Sequence, residues 1–132
     1  MSIDGILASR HGLYNIDYEP ELHSEYQDEA NRIYVETMHT LLQNKEDIVL
    51  DRAFFDKEDR DIYRAEIEKA GGRWVLVYLK VDKELLWKRI RERRAREINA
   101  DTCFEISEEL LDQYFTGFDV PVGEGEIVIT AE

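Results

Sequence analysis

The run Asp47-Ile48-Val49-Leu50-Asp51-Arg52-Ala53-Phe54-Phe55 decides how this chain is read. Three aliphatic residues in a row, two of them β-branched, predict a short strand, and the strand ends on an acid. Downstream, Asp56 is placed to cap a helix, with Asp59 three residues on as a capping-box acid. Ile62, Tyr63, Ile67 and Ala70 give that helix its buried stripe, and Gly71-Gly72 supplies a left-handed stop. The next run, Trp74-Val75-Leu76-Val77-Tyr78-Leu79, is apolar almost throughout, as in a strand covered on both faces. Strand, helix and strand in this order predict a right-handed parallel crossover.

Upstream, Tyr26, Ala30, Ile33, Tyr34, Thr37, Met38, Leu41 and Leu42 repeat at helical spacing from Glu25 onward, with Asn44 suited to end the helix. Residues 11–22, with Gly12, Asn15, Asp17 and Pro20, read as a structured loop, and residues 1–7 as a short, half-apolar segment containing Asp4. Toward the C-terminus, Asp82 caps a helix through Arg96, and Ser107 caps a further one with Glu108 and Glu109 in its first turn. Gly117, Pro121, Gly123 and Gly125 lead into a last strand, Glu126-Ile127-Val128-Ile129. The expectation is one α/β domain over 1–132, with three or four strands and about four helices.

The chain has 132 residues and a formal net charge of −13. That balance argues against general nucleic-acid binding, which needs positive surface. The single Cys103 excludes an internal disulfide and a cysteine zinc site; its neighbours Phe104 and Ile106 point to partial burial. No apolar run approaches a membrane span, and the expected location is cytoplasmic. His11, His23 and His39 lack zinc-site spacing, and no Gly-x-Ser-x-Gly elbow supports a hydrolase triad.

Two features can carry chemistry. In open parallel sheets, ligands bind beyond the carboxyl ends of strands, which is where Asp51 lies. A carboxylate there can hold magnesium through water or accept a hydroxyl proton; equally, it can cap a helix or pair with Arg52 or Arg60. The second is Lys88, Arg89, Arg91, Arg93, Arg94 and Arg96, six basic residues within nine positions. Arginine forks match phosphate oxygens, and Arg89 and Arg93 share a helix face. The alternative is a solvated face paired with Glu84, Glu92 and Glu97. Asp4 is either a second acid at the same sheet edge or a cap.

Taken together, Ser2-Ile3-Asp4, Arg10-His11-Gly12-Leu13-Tyr14, Ile48-Val49-Leu50-Asp51 with Phe54 and Arg60, the Arg89-x-x-x-Arg93 helix, and Gly117-Phe118-Asp119-x-Pro121-x-Gly123-Glu124-Gly125-Glu126 resemble a family of small P-loop kinases and ATPases. This family includes zeta-toxin-like and chloramphenicol-phosphotransferase-like proteins and AAA-type ATP-binding proteins. The resemblance implies a three-layer P-loop sheet and an ATP-dependent phosphotransferase or ATPase that uses ATP and Mg2+, with a small-molecule acceptor. It makes Asp4 and Asp51 the catalytic acids, with Asp51 beside the metal. Arg89 and Arg93 become the arginines that grip phosphate, with Arg52 and Arg60 as further candidates for nucleotide binding. Leu7 stands where family members often carry an arginine.

Relatives open with a strand, a Walker A loop and its helix before the position of Met1. No Gly-x-x-x-x-Gly-Lys-Ser/Thr run occurs in this chain. The expected sheet is therefore incomplete, lacking its first strand and P-loop helix, and activity is expected to be impaired. The alternative is a non-catalytic interaction or dimerisation module derived from such a kinase, pairing with a second copy through open strand edges.

Overall fold

A computed structural model of the chain describes every residue except Phe104 and Glu132. It is mixed α/β, in the order α1 (Ile3–His11), a 3-10 turn (Pro20–Leu22), α2 (His23–Gln43), α3 (Lys57–Lys69), β1 (Val77–Lys80), α4 (Lys83–Arg96), α5 (Glu108–Gly117) and β2 (Ile127–Thr130). Two compact units result: Met1–Arg52 with Arg93–Glu105, and Ala53–Glu92 with Ile106–Glu132.

In the first unit, the segment around Asp4 is a helix and not a strand. Ser2 makes the difference: its Oγ accepts the Gly5 amide at 3.0 Å, which satisfies an N-terminal donor and starts α1. The expected strand Ile48–Leu50 is likewise reduced to an isolated parallel bridge between Ser2 and Asp51. The Met1 amino group donates to the Val49 carbonyl at 2.8 Å, and the Asp51 amide to the Met1 carbonyl at 2.9 Å. Pairing stops there because Ser2 turns the backbone into α1.

Helix α1 packs on α2. Leu7, Ala30, Tyr34 and Met38 are buried, which makes Leu7 a core residue of this unit. Helix α2 ends where expected, with Asn44 as its C-cap residue.

In the second unit, β1 takes β2 as its partner, parallel and in the register Val77↔Ile127 through Lys80↔Thr130. The parallel crossover thus runs from β1 through α4 and α5 to β2, where the sequence reading placed it between residues 48–50 and 74–79. Among the described residues the sheet has two strands, against three or four expected, and there are five α-helices.

Asp56 occupies the N-cap of α3 but makes no capping bond. The carboxylate of Asp119, far along the chain, accepts the Lys57 amide at 3.0 Å instead. Ser107 caps α5 as expected, accepting from Leu110. Phe118 packs on Phe55 and Tyr78, with ring centroids 6.0 and 5.8 Å away. Gly125 holds φ +78 beside the Trp74 ring.

Arg60 organises this unit from a buried position. It donates to both oxygens of Glu124 at 3.0 and 2.9 Å and to the Phe54 carbonyl at 2.7 Å. Phe54 itself is left-handed, with φ 44, a conformation a bulky residue keeps only when its surroundings hold it. The Arg60 bond and the Tyr63 ring, at 5.2 Å, supply that hold.

Candidate functional site

Asp4 lies in the first turn of α1, and Asp51 is bridged to Ser2, the residue that caps that helix. Asp4 is exposed as a residue, yet its carboxyl is crowded by protein. Partial loss of solvent, then the like charges of Asp101 and Asp51, hold its pKa above the ordinary carboxylate value; His23 pulls the other way. A carboxyl pushed upward in this way is better matched to taking a proton from a hydroxyl than an ordinary aspartate.

The surroundings of Asp4 come from distant stretches. Asp101 is presented by the loop after α4, which Thr102 braces. The buried Thr102 hydroxyl donates to the Glu97 carbonyl at 2.7 Å and accepts the Asn99 amide at 2.8 Å. Arg94 donates to the Thr102 carbonyl, which ties the end of α4 to the same loop. His23 opens α2, and its Nδ1 is 2.8 Å from the Tyr18 hydroxyl. The loop carrying Tyr18 is fixed by Gly12 at φ +86 and by Asp17, whose carboxylate accepts the Leu13 amide at 2.7 Å.

Sequence reasoning nominates Asp4 and Asp51 and gives no sign of the other groups around Asp4, which are His23 and Asp101. His23 was weighed only as a metal ligand, where spacing is the signal; as a neighbour of Asp4 it leaves no local pattern.

The structure separates the candidate arginines by occupation. Arg52 donates to Asn31 Oδ1 at 2.8 Å and lies over the Tyr34 ring, so it braces α2. Arg60 is committed to Glu124 and Phe54. Arg89 and Arg93 are exposed on α4, and the Arg93 side chain makes no hydrogen bond or ion pair among the described residues. Of the other basic residues there, Lys88 pairs with Glu92 at 3.9 Å and Arg91 lies over Trp87.

A cavity of about 340 Å3 is lined in part by Tyr14, Ile16, Arg94, Ile98 and Cys103. It shares Tyr14 with the His23 surroundings and is large enough for a small molecule. Cys103 is half-buried there, as expected, while its neighbour Phe104 lies outside the described residues. Among the described residues, no three His, Cys, Asp or Glu side chains group closely enough to hold a metal, and no helix is long and apolar enough to cross a membrane.

Comparison with known proteins adds one match. A family model described as an AAA domain covers residues 6–121, most of the chain, with Asp51 and the basic helix α4 inside the match. No curated protein and no solved structure matches the chain. The coverage and the α/β architecture agree, and the chain belongs to this AAA-domain family of P-loop NTPase-like proteins.

Proposed function

We propose that this chain derives from an ATP-dependent phosphotransferase or ATPase and handles nucleotide phosphate and a small acceptor at the acidic edge of its first unit. The observation that carries this reading is the convergence of Asp4 and Asp51 at the Ser2–Asp51 bridge, in a chain of a nucleotide-handling family. Asp4 takes the proton of the acceptor hydroxyl. Asp51 would stand beside a hydrated magnesium ion, and the Arg93 guanidinium of the same unit binds phosphate oxygens.

Magnesium keeps most of its water and needs only one or two carboxylates beside phosphate oxygens. An exposed Asp51 fits that demand with a nucleotide present and does not fit a stand-alone metal site. When bound, the ion would neutralise charge on the phosphates. Arg52 and Arg60 stay outside the site because their donors are engaged.

Strong nucleotide binding in this family relies on a backbone nest and a P-loop lysine, which these 132 residues do not contain. The polypeptide as it stands therefore binds ATP weakly and turns over below detection. Titration with MgATP by NMR tests both parts. Amide shifts around Arg93, Asp4 and Asp51 that saturate only near millimolar ATP agree with the reading. Shifts that never arise refute nucleotide handling, and stoichiometric micromolar binding by calorimetry refutes the impairment.

A second reading, an interaction module that pairs with another copy, is favoured by the sheet. Parallel neighbours share a face, and Val77, Leu79, Ile127 and Ile129 on one face are 48%, 67%, 52% and 50% exposed. Parallel sheets are ordinarily covered on both sides. Sedimentation decides it: a monomer at high concentration removes the dimer.

A further inference from the structure

The 340 Å3 cavity of the first unit is walled by two loops that backbone hydrogen bonds hold in place, and its volume falls within the range of small-molecule sites. On one side, the Leu13 carbonyl accepts the Ile16 and Asp17 amides at 3.1 and 2.9 Å. Asn15 sits inside that turn at φ 57, a left-handed value that asparagine tolerates. The turn gives the cavity Tyr14, Asn15 and Ile16. On the other side, the Asn99 carbonyl accepts the Thr102 and Cys103 amides at 3.1 and 2.9 Å, which fixes the loop that brings Cys103 and Glu105 to the lining.

Arg94 and Glu105 are the charged residues of the lining, one of each sign. Arg94 Nη1 donates to the Thr102 carbonyl at 2.5 Å, so the guanidinium is held at one corner. Its Nε and Nη2 make no hydrogen bond among the described residues, and Glu105 makes neither a hydrogen bond nor an ion pair among them. Two opposite charges thus line one cavity without pairing to each other. Tyr14 and two aliphatic residues, Ile16 at 59% and Ile98 at 47% exposure, supply the apolar share of the wall. The Tyr14 ring is braced edge-on against His23, with centroids 4.8 Å apart.

We propose that this cavity binds a small zwitterion with an apolar body, the chemistry of a free aliphatic α-amino acid. The Nε and Nη2 edge of a guanidinium held in place matches the two oxygens of a carboxylate. The Glu105 carboxylate takes the ammonium, and Tyr14, Ile16 and Ile98 cover the aliphatic side chain. Charge selects this class over a bare anion. The lining carries one charge of each sign and the whole chain −13, so a phosphate dianion meets repulsion both from Glu105 and from the field of the protein. A ligand with both charges and no net charge engages Arg94 and Glu105 together and meets no such barrier. The site needs neither Asp4 nor Asp51, and no nucleotide.

The test is an NMR titration of the full chain with L-leucine, isocaproate and isoamylamine, which share one aliphatic body and carry both charges, the carboxylate alone and the ammonium alone. L-Leucine is expected to give saturable shifts at the Asn15, Ile16 and Cys103 amides and at Arg94 Nε, and each single-charge analogue to bind roughly tenfold more weakly or worse. Glu105→Gln, at an exposed position, is expected to weaken L-leucine roughly tenfold and leave isocaproate no weaker. Ile98→Trp is expected to abolish binding by filling the cavity, with circular dichroism reporting the fold. The absence of saturable shifts with L-leucine near its solubility limit overturns the proposal. Isocaproate or inorganic phosphate that binds there as tightly as L-leucine overturns it too, because an anion site then suffices. A folded Glu105→Gln chain that keeps the full preference for L-leucine over isocaproate also overturns it, and that comparison decides if Ile98→Trp does not fold. Since no nucleotide is present, the outcome is separate from whether the chain handles MgATP.

Discussion

Substituting Glu124→Gln removes the negative charge that holds Arg60 and Arg64 together, and its cost follows from the geometry. The Glu124 side chain is 5% exposed, Arg60 2% and Arg64 15%. Arg60 bonds both carboxylate oxygens, and Arg64 Nη2 adds a contact at 2.7 Å. The hydrogen bonds from Arg60, and after them those from Arg64, outweigh burial and bring the Glu124 pKa down from 4.5 to about 2. The folded carboxyl therefore binds its proton less readily than the unfolded one. Its stabilisation is complete above about pH 4.5 and is lost as pH falls through about 2. The displacement is equivalent to about 3 kcal/mol, close to the ~3–5 kcal/mol typical of breaking a buried pair.

Urea unfolding followed by circular dichroism at pH 7 is expected to show that loss in Glu124→Gln, with a Tm lowered by roughly 10 °C. The gap between the two proteins is expected to narrow toward pH 2, where wild-type Glu124 takes up its own proton. Replacing Arg60 and Glu124 together by Met and Leu should cost less than either single change, because the buried Arg60 charge leaves with its partner and Arg64 keeps its contact to Asp61. A gap that stays constant from pH 7 to pH 2, or one below about 1 kcal/mol at neutral pH, refutes the reasoning.

Gly12→Ala places a Cβ 2.5 Å from the Asp17 Cβ at a backbone φ of +86; thermal unfolding is expected to reveal a loss of about 2 kcal/mol or more, with the Tyr18–His23 contact disturbed in NMR spectra. Leu7→Ala empties a site only 5% exposed between α1 and α2, and chemical denaturation should show a cost of about 2–4 kcal/mol. Asp119→Ala leaves the Lys57 amide without its distant cap, and the expected cost is about 1 kcal/mol by the same assay. Arg93→Ala, on an exposed part of α4, should leave stability within about 0.5 kcal/mol of wild type while abolishing the MgATP-dependent shifts.

The long helices were legible because their apolar residues recur at helical spacing and their ends carry capping residues, as Asn44 and Ser107 do. Helix α1 was not. Ile3, Ile6 and Leu7 stand among Gly5, Ala8 and Ser9, a stripe too weak to see, and the Ser2 cap starts the helix. The run after Asp47 has the composition of a strand, yet the structure gives it only the bridge at Asp51, since a strand forms only where a partner pairs with it. Asp4 and Asp51 could be picked out as acids beside apolar runs. Asp101, Tyr18 and His23 could not, because Asp4 meets them through loops shaped by Thr102 and by Gly12, and neither loop advertises its destination in sequence.

The arginines carry the same lesson further. Guanidiniums at Arg52, Arg60, Arg89 and Arg93 are equivalent as residue types, and sequence reasoning could nominate all four for phosphate. Burial separates them on physical grounds. A guanidinium out of water must spend its donors on protein acceptors or lose solvation it cannot recover, so Arg60 is bound to Glu124 and to the strained Phe54 carbonyl. A phosphate could compete for those donors only by unpairing Glu124, which is itself nearly enclosed. Arg93 faces no such conflict: it is exposed, and binding an anion breaks no side-chain hydrogen bond or ion pair among the described residues. The same distinction applies to the acids. Glu124 is stabilised as a charge by its two arginines, whereas burial, then the like charges of Asp101 and Asp51, hold the Asp4 carboxyl above the ordinary carboxylate value.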